Sequence, residues 1–476
     1  MSKYLLCFIC LLFFEVIFIS STGWAQTPFD NKRILNDSLH KKAPPDKPLV
    51  ENGVAKKNFG RAALLFAGAE VVPWTFDHYI FKYDYANISF ATIKHNLKLS
   101  SWTWDNDEFQ TNQFGHPYQG SQFFSAFRAN GYSFWQSAPA SFAGSYIWES
   151  TAENQSPAPN DFINTGLGGA VLGEMTYRLS RRIVNNRTRG FKRQMSEVLG
   201  FIINPMNGLT RLMDGRWGRV SDNPAEQDTS KVSLEIDLGG RDFKATRTNG
   251  LKSNGYGWYG RIKLLYGSRY EDYKTPFSNI YINAEFGQDD SSKMNYLNVY
   301  GSLAGWELAG DEKKEQLAIL SANYDYIHNE AFLYGGQSLK MNLFSEYNLS
   351  RKLSFNTSLG VGPVILAAVT DRYPTHGRFY DYTTGTSFNG GVGVSLLKKL
   401  LISLDYNGAW LVTVNGSASH YFLHTVTSEI QYMLTKQFSF AVQPGYFTLH
   451  GKYNDHPTVD NKYPFVRLSA RYSFNL

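Results

Sequence analysis

The sequence predicts a membrane β-barrel of about 12 antiparallel strands, within roughly 10–14, that follows an N-terminal helical region. Two observations support this fold class. A hydrophobic period of two starts near residue 230 and continues to the end, and aromatic residues make up 16% of the chain beside only 18% charged residues. Soluble domains contain about 25% charged residues. Barrels place aromatic side chains at the lipid boundary, so this composition favours a protein that contacts lipid.

The C-terminal segment shows the period of two most clearly. From Val466 to Leu476, every even-numbered residue is apolar and every odd-numbered residue is polar. A soluble β-sandwich would also alternate, but its outward face would be polar and its strands would average about 5–6 residues. The segments here approach the ~10 residues of a membrane strand. Segments 280–286 and 353–361 also alternate, and further strands start near positions 232, 262, 297, 317, 340, 388, 401, 422 and 438.

The links between these segments predict how the barrel is oriented. The links at 350–352 and 398–399 are short and polar, whereas 371–384 and 415–420 are expected to be longer loops. Outer-membrane barrels have short periplasmic turns and longer external loops. An even number of strands returns the C-terminus to the side where the chain entered. We therefore predict a location in the cell outer membrane with a periplasmic N-terminus.

Residues 1–25 predict a cleaved signal peptide. Lys3 precedes an apolar stretch that reaches Ile19, and small residues end at a cleavage site after Ala25. Both cysteines, Cys7 and Cys10, lie in this segment, so the mature chain would have no thiol for a disulfide, catalysis or metal binding. Residues 26–57 are rich in proline and lysine without an apolar period, which predicts a flexible periplasmic leader.

A helical region is predicted at 58–215, followed by a linker at 216–230 and the barrel at 231–476. The small and apolar residues from Phe59 to Pro73 predict a buried helix, and further helices are expected at about 120–137, 140–153, 161–184 and 191–213. We expect this region to plug or cap the lumen, because the polar inward faces of the strands need partners. The alternative is a separate periplasmic domain on a protease-sensitive linker. Glycines at 166, 168, 169 and 173 would let one helix approach a neighbour closely.

Four short elements between residues 100 and 185 form an unusual combination. They are His116-Pro117-Tyr118-Gln119-Gly120, Gly144-Ser145-Tyr146-Ile147-Trp148-Glu149, a proline-rich stretch that ends at Asp161, and Gly173-Glu174. The combination resembles an uncharacterised family of Gram-negative envelope proteins, known as a domain of unknown function, within outer-membrane barrel proteins. The resemblance implies no activity, because the family has none established.

The same residues allow a chemical interpretation. His116 and Ser145 with a carboxylate from Glu149, Asp161 or Glu174 are candidate catalytic residues of a lipid-active esterase or acyltransferase. Ser145 lacks the Gly-x-Ser-x-Gly turn of common hydrolases. In the alternative structural interpretation, Ser145 packs a helix contact, and the two glutamates pair with barrel arginines such as Arg467 and Arg471. We therefore predict no catalytic residue and favour a non-enzymatic plugged pore, transport component or envelope scaffold.

A run of basic residues with no intervening acid predicts contact with anions. Phosphate groups of phospholipid or lipopolysaccharide would find bidentate donors there. The alternatives are a solvated helical edge or pairing with inward acids of the barrel at positions 235, 237, 285 and 346. We expect outer-membrane lipid, lipopolysaccharide and the barrel-assembly machinery as partners, and no nucleic acid, because a net charge of +6 is a mild excess. The run consists of Arg178, Arg181, Arg182, Arg187, Arg189, Lys192 and Arg193.

No metal and no cofactor are predicted. His420 and His424 are four residues apart, and on a strand that separation spans about 13 Å, too far for one ion to bridge. The alternative is a site built from His116 with Asp or Glu partners.

Overall fold

The computed structural model describes residues 57–221, 230–247, 252–289, 292–310, 314–350 and 352–475. These residues form two compact units, a helical unit up to residue 221 and a barrel unit from residue 230. The predicted signal peptide, almost all of the predicted leader and most of the predicted linker lie outside the described residues. No helix in the described ranges has both the length and the apolar character needed to cross a bilayer.

Within residues 57–221, the helical unit contains eight α-helices joined by π-helical and 3₁₀ turns. The π-helical turns are Phe76–Phe81, Thr111–Gly115 and Asn164–Gly168, and the 3₁₀ turns are Asp84–Ala86 and Leu99–Ser101. The α-helices are α1 (Phe59–Thr75), α2 (Phe90–Asn96), α3 (His116–Arg128), α4 (Phe134–Thr151), α5 (Pro159–Ile163), α6 (Gly169–Ile183), α7 (Gly190–Ile203) and α8 (Pro205–Met213).

Two helix boundaries differ from the sequence prediction. Pro139 was expected to separate two helices, but α4 continues through it. A capping box between Ser133 and Gln136 stabilises the start of α4 and offsets the hydrogen bond that Pro139 cannot donate. The single helix expected at 191–213 is broken at Asn204, whose φ of −140° is not helical. The Asn204 side chain accepts a 2.9 Å hydrogen bond from the Asn207 backbone and so caps α8.

The close helix approach expected from the glycines is confirmed. Helices α3 and α6 meet at Gly120 and Gly169. A Cβ atom on Gly120 would lie 1.9 Å from the carbonyl oxygen of Thr165, and one on Gly173 would lie 2.5 Å from the ring of Phe124. Only glycine permits this backbone-to-backbone distance. The glycines of two resemblance elements therefore have a packing role.

The barrel unit is a closed antiparallel barrel of 12 strands in which each strand pairs with the next and β1 pairs with β12. The predicted strand number is confirmed. The strands are β1 (Val232–Thr246), β2 (Lys252–Tyr266), β3 (Ile280–Asp289), β4 (Ser292–Gly310), β5 (Lys314–His328), β6 (Leu333–Ser350), β7 (Leu353–Thr375), β8 (Arg378–Leu396), β9 (Leu400–Asn415), β10 (Ser419–Met433), β11 (Phe438–Tyr453) and β12 (Val459–Asn475).

The two faces of the strands differ in the way the alternation predicts. On β12, Leu468 and Tyr472 point outward and are 58% and 51% exposed, whereas Arg467 and Arg471 point into the lumen and are 2% and 0% exposed. A soluble sandwich would expose its polar face instead. A barrel whose outer surface contacts lipid has an apolar exterior and a polar interior, as observed here. The alternative of a soluble β-sandwich is therefore wrong.

The longer loops predicted at 371–384 and 415–420 are wrong. Strands β7 and β8 run through the first of these segments and are joined at His376-Gly377, both of which have positive φ, as in a tight two-residue hairpin. Strands β9 and β10 are separated by only residues 416–418. Polar residues suggested loops, but Asp371 and Asp381 are buried in the lumen, where a barrel strand places its polar side chains.

Candidate functional site

A cluster of carboxyl groups surrounds His116 in the helical unit. The π-helical turn at 111–115 places His116 at the first position of α3, beside the segment that carries Asp105 and Asp107. The ligand atoms of these three residues all lie within 4.8 Å of one another. The His116 Nε2 atom also lies 3.1 Å from Asp161 Oδ1 on α5, but the contact lacks the alignment of a hydrogen bond.

Two asparagine side chains hold the carboxylates of this cluster. The Nδ2 atom of Asn160 donates hydrogen bonds to Asp105 Oδ1 at 2.7 Å and to Asp161 Oδ1 at 2.8 Å. Asn112 Nδ2 donates to Asp105 Oδ1 at 3.3 Å. Both asparagines are buried. These amides orient the carboxylates but add no positive charge.

The cluster concentrates negative charge around two buried side chains, His116 and Asp161. Burial raises the pKa of Asp161 well above its ordinary value, and the neighbouring carboxylates, Asp105 first, raise it further. Burial also raises the pKa of Glu153 to about 7, and burial together with Asp105 raises the pKa of Asp107 to about 6. Burial lowers the pKa of His116 to about 4. The imidazole is therefore neutral at pH 7 and does not balance the acids.

The candidate catalytic residues do not form a hydrolytic group. His116, Glu149 and Asp161 belong to one neighbourhood, because the pKa of Asp161 responds to Glu149. The Ser145 hydroxyl is 2% exposed and donates a 3.4 Å hydrogen bond to the backbone carbonyl of Asp161. Within the described residues, no hydrogen bond joins Ser145 to His116, so the nucleophile–base pair that the enzyme alternative requires is not formed.

The ion pairs expected for the two glutamates are also wrong. Glu174 accepts hydrogen bonds from Arg128 at 2.7 Å and from Arg178 at 2.8 Å. Although burial alone would raise the pKa of Glu174, these two guanidinium groups hold it below its ordinary value. Glu149 accepts a 2.9 Å hydrogen bond from the backbone N–H of Ala158. Both residues therefore have structural partners inside the helical unit.

Ser145 is expected to be chemically inert. We predict that a fluorophosphonate probe does not label the folded protein at Ser145, because its hydroxyl is buried and has no adjacent base. Intact-protein mass spectrometry with and without the probe measures the label, and Ser145→Ala serves as the control. Probe-dependent mass that disappears in Ser145→Ala would restore the hydrolase alternative.

The basic run is only partly available to anions. Arg193 is 1% exposed, lies 2.6 Å from Glu197 and donates to the carbonyl oxygen of Asn185 at 2.8 Å. Arg178 pairs with Glu174. These two arginines stabilise the helical unit, so their assignment to headgroup binding is wrong. Arg187, Arg189 and Lys192 are exposed around the turn between α6 and α7, and for these residues anion contact stays a prediction.

The lumen of the barrel has two different halves. We call the end where β1 begins and β12 ends the near end, and the opposite end the far end. The near half contains a cavity of about 320 Å³ lined mainly by asparagine, serine, tyrosine and charged side chains. Its wall includes Asn283, Asn342, Asn356 and Asp405. The near half is therefore a polar space.

A network of buried ion pairs occupies one wall of the near half. Arg471 on β12 lies 2.6 Å from Asp237 on β1 and 2.8 Å from Glu429 on β10. Arg261 on β2 reaches the same Glu429 at 2.5 Å, and Lys263 reaches it at 3.4 Å. Glu235, Asp237 and Glu285 thus pair with arginines of the barrel itself, so the alternative that these three acids bind the basic run of the helical unit is wrong.

The far half contains a large cluster of apolar and aromatic side chains. One continuous buried cluster includes Phe243 on β1 and Val369 on β7, strands that stand opposite each other in a 12-stranded barrel. The ring of Phe447 on β11 lies 6.1 Å from that of Tyr296 on β4, which is also a contact across the lumen. Side chains of the barrel therefore meet across the lumen in the far half.

The barrel and the helical unit together define the class of this protein, a closed 12-stranded barrel preceded by a helical domain. Residues 101–206 match the family described as Domain of unknown function (DUF3943). The matched residues lie within the helical unit and include residues 101–185 of the segment for which the sequence predicted this resemblance. A search of curated proteins found no match.

Solved structures similar to this chain include outer-membrane porins and channels. The NanC porin is 11% identical, with 48% of this chain and 98% of that chain covered and a TM-score of 0.26. The outer membrane channel DcaP of Acinetobacter baumannii is 8% identical over 52% and 97% of the two chains, with a TM-score of 0.25. The Pseudomonas putida toluene transporter TodX is 8% identical over 52% and 89%, with a TM-score of 0.23. Likeness at this level says nothing about cargo.

Proposed function

We propose that this protein is an outer-membrane barrel of the pore or transport class that is closed at rest by its own lumenal side chains. The observation that carries the proposal is the apolar cluster that crosses the lumen from β1 to β7. Ions cross a hydrophobic constriction poorly, because they lose hydration there without a replacement. For ions to pass, the side chains of this cluster would have to move apart. That movement would be the gating step.

The near half supports a small polar solute as the cargo. The cavity of about 320 Å³ lies at the lower end of the range of small-molecule sites, roughly 300–1,000 Å³. Its amide and hydroxyl groups can donate and accept hydrogen bonds, as solutes with many hydroxyl or amide groups require. The even strand number and the apolar exterior support an outer-membrane location with a periplasmic N-terminus.

The proposal includes the partners and the role of the helical unit. Outer-membrane lipid surrounds the strands, lipopolysaccharide phosphates contact Arg187, Arg189 and Lys192, and the barrel-assembly machinery inserts the chain. The helical unit acts as a plug or cap in addition to the closed far half. The two forms of closure are separable, because one depends on residues 59–215 and the other on lumenal side chains of β11 and β12.

Single-channel conductance in planar bilayers tests the proposal. We expect the full-length protein to show no steady conductance, and a Phe447→Ser, Tyr463→Ser, Phe465→Ser variant to show steady steps, since these three lumenal rings belong to the closing cluster. The matched control is Tyr446→Ala, Val466→Ala, which alters outward residues of the same strands and should behave as the wild type.

Other results would contradict the proposal or assign the closure to the helical unit. Steady conductance of the wild type, or a folded triple variant that stays closed, contradicts closure by lumenal side chains. If deletion of residues 59–215 alone opens a steady pore, the helical unit is the closing element. Heat-dependent mobility on gels and the circular dichroism of the β-strands verify that each variant is folded.

A further inference from the structure

We propose that Asp105, Asp107 and His116 bind a divalent transition-metal ion in the helical unit. Their ligand atoms lie within 4.8 Å of one another. An ion at the centre of such a triangle lies within about 2.8 Å of all three atoms, and a small contraction gives the bond lengths of roughly 2.0–2.2 Å found for imidazole and carboxylate ligands.

The imidazole of His116 supplies an independent indication of a ligand. His116 is 9% exposed, and its Nε2 atom is buried without a hydrogen-bond partner. That nitrogen lies close to a carboxylate, since Asp161 Oδ1 is 3.1 Å away. Buried polar atoms normally have a partner. A metal ion would satisfy the nitrogen and at the same time offset the negative charge of the surrounding acids.

The groups around the triangle resemble those that orient metal ligands in other proteins. Asn160 donates to Asp105 at 2.7 Å, and Asn112 donates to the same carboxylate at 3.3 Å. Such outer hydrogen bonds fix the direction of a ligand and strengthen its binding.

The ligand types select the class of ion. Imidazole nitrogen combined with carboxylate oxygen suits zinc, manganese or iron in the divalent state, whereas calcium and magnesium prefer oxygen ligands alone. The bound ion would tie the segment of Asp105 and Asp107 to the start of α3. It would thereby stabilise the domain of residues 101–206 independently of whether the barrel conducts.

Metal titration of the full-length protein tests the proposal. The tag-free protein in detergent is treated with a chelator, dialysed, and titrated calorimetrically with zinc chloride and with manganese chloride, with calcium chloride as the comparison. We expect one transition-metal ion per chain, micromolar or tighter binding, and a higher midpoint of thermal unfolding for the 222 nm helical signal when metal is present.

Matched variants identify the ligands. Asp105→Asn, Asp107→Asn and His116→Gln should each weaken binding at least tenfold, and the metal-dependent thermal shift should disappear. Glu108→Gln, an acid of the same segment, and His95→Gln, an exposed imidazole on α2, should bind as the wild type does. If His116→Gln does not fold, the two near-isosteric aspartate variants decide the outcome. Absence of binding, or binding that survives both aspartate substitutions, overturns the proposal.

Discussion

Arg471→Met is expected to destabilise the barrel by about 3–5 kcal/mol, the usual cost of removing one partner from a buried ion network. Arg471 is fully buried and lies within ion-pair distance of Glu235, Asp237 and Glu429. Methionine is of similar length but leaves these carboxylates short of one positive charge. The lumen offers them little water in compensation, since all three are almost completely buried.

The charge balance of the network explains the size of this effect. Three acids face three cations, because Arg261 and Lys263 also contact Glu429. Loss of Arg471 leaves one excess negative charge, whereas a second substitution, Glu429→Gln, restores the formal balance. We therefore expect the Arg471→Met, Glu429→Gln double variant to recover part of the lost stability, and the coupling between the sites to be favourable.

Urea unfolding of the refolded barrel, followed by heat-dependent gel mobility and by the β-strand dichroism, measures these differences. Lys462→Met is the matched control, because Lys462 lies on the same strand but its ion pair with Asp460 is solvent-exposed. Exposed pairs contribute little to stability, so no measurable change is expected for this control. Equal stability of Arg471→Met and the wild type would show that the network does not hold the barrel together.

The barrel could be predicted because lipid and lumen impose opposite polarity on successive residues. The uninterrupted alternation of apolar and polar residues from Val466 to Leu476 is a direct result of this requirement. The same rule explains the error at 371–384, where Asp371 and Asp381 were taken for loop residues. In a lumen, a polar residue is an ordinary strand residue, and Tyr453 and Tyr421 donate hydrogen bonds to these two carboxylates. Polarity alone therefore does not locate the end of a barrel strand.

The helical unit was predicted in outline, but its polar partners were not. Glycine spacing indicated close helix packing, because the absence of a side chain is a local property of the sequence. The partners of Glu174 are different, since Arg128 lies 46 residues away and reaches it only after α3 and α6 pack together. The candidate metal ligands come from an irregular segment and from the start of α3. Their positions in the sequence match no metal-binding motif, so the sequence did not indicate that they lie close together.

Gly120→Ala is expected to destabilise the helical unit by about 3 kcal/mol, at the upper end of the cost of overpacking. The added methyl group would lie 1.9 Å from the Thr165 carbonyl oxygen and 3.0 Å from the Gly169 Cα atom. Both are backbone atoms, so no side-chain rotation relieves the clash. Helices α3 and α6 must separate, which exposes or loosens the contacts on both sides of the crossing.

Gly68→Ala, the same substitution in the middle of α1, is expected to have the opposite sign. No atom lies within 4 Å of a Cβ built on Gly68. Alanine should therefore stabilise that helix by about 0.5–1 kcal/mol through its better helix propensity. Urea unfolding monitored at 222 nm compares the two variants with the wild type. Both replacements improve helix propensity equally, so a difference in the sign of their changes in unfolding free energy reports the packing of α3 against α6. If both variants were stabilised, the contact between these two helices would be looser than the backbone distances indicate.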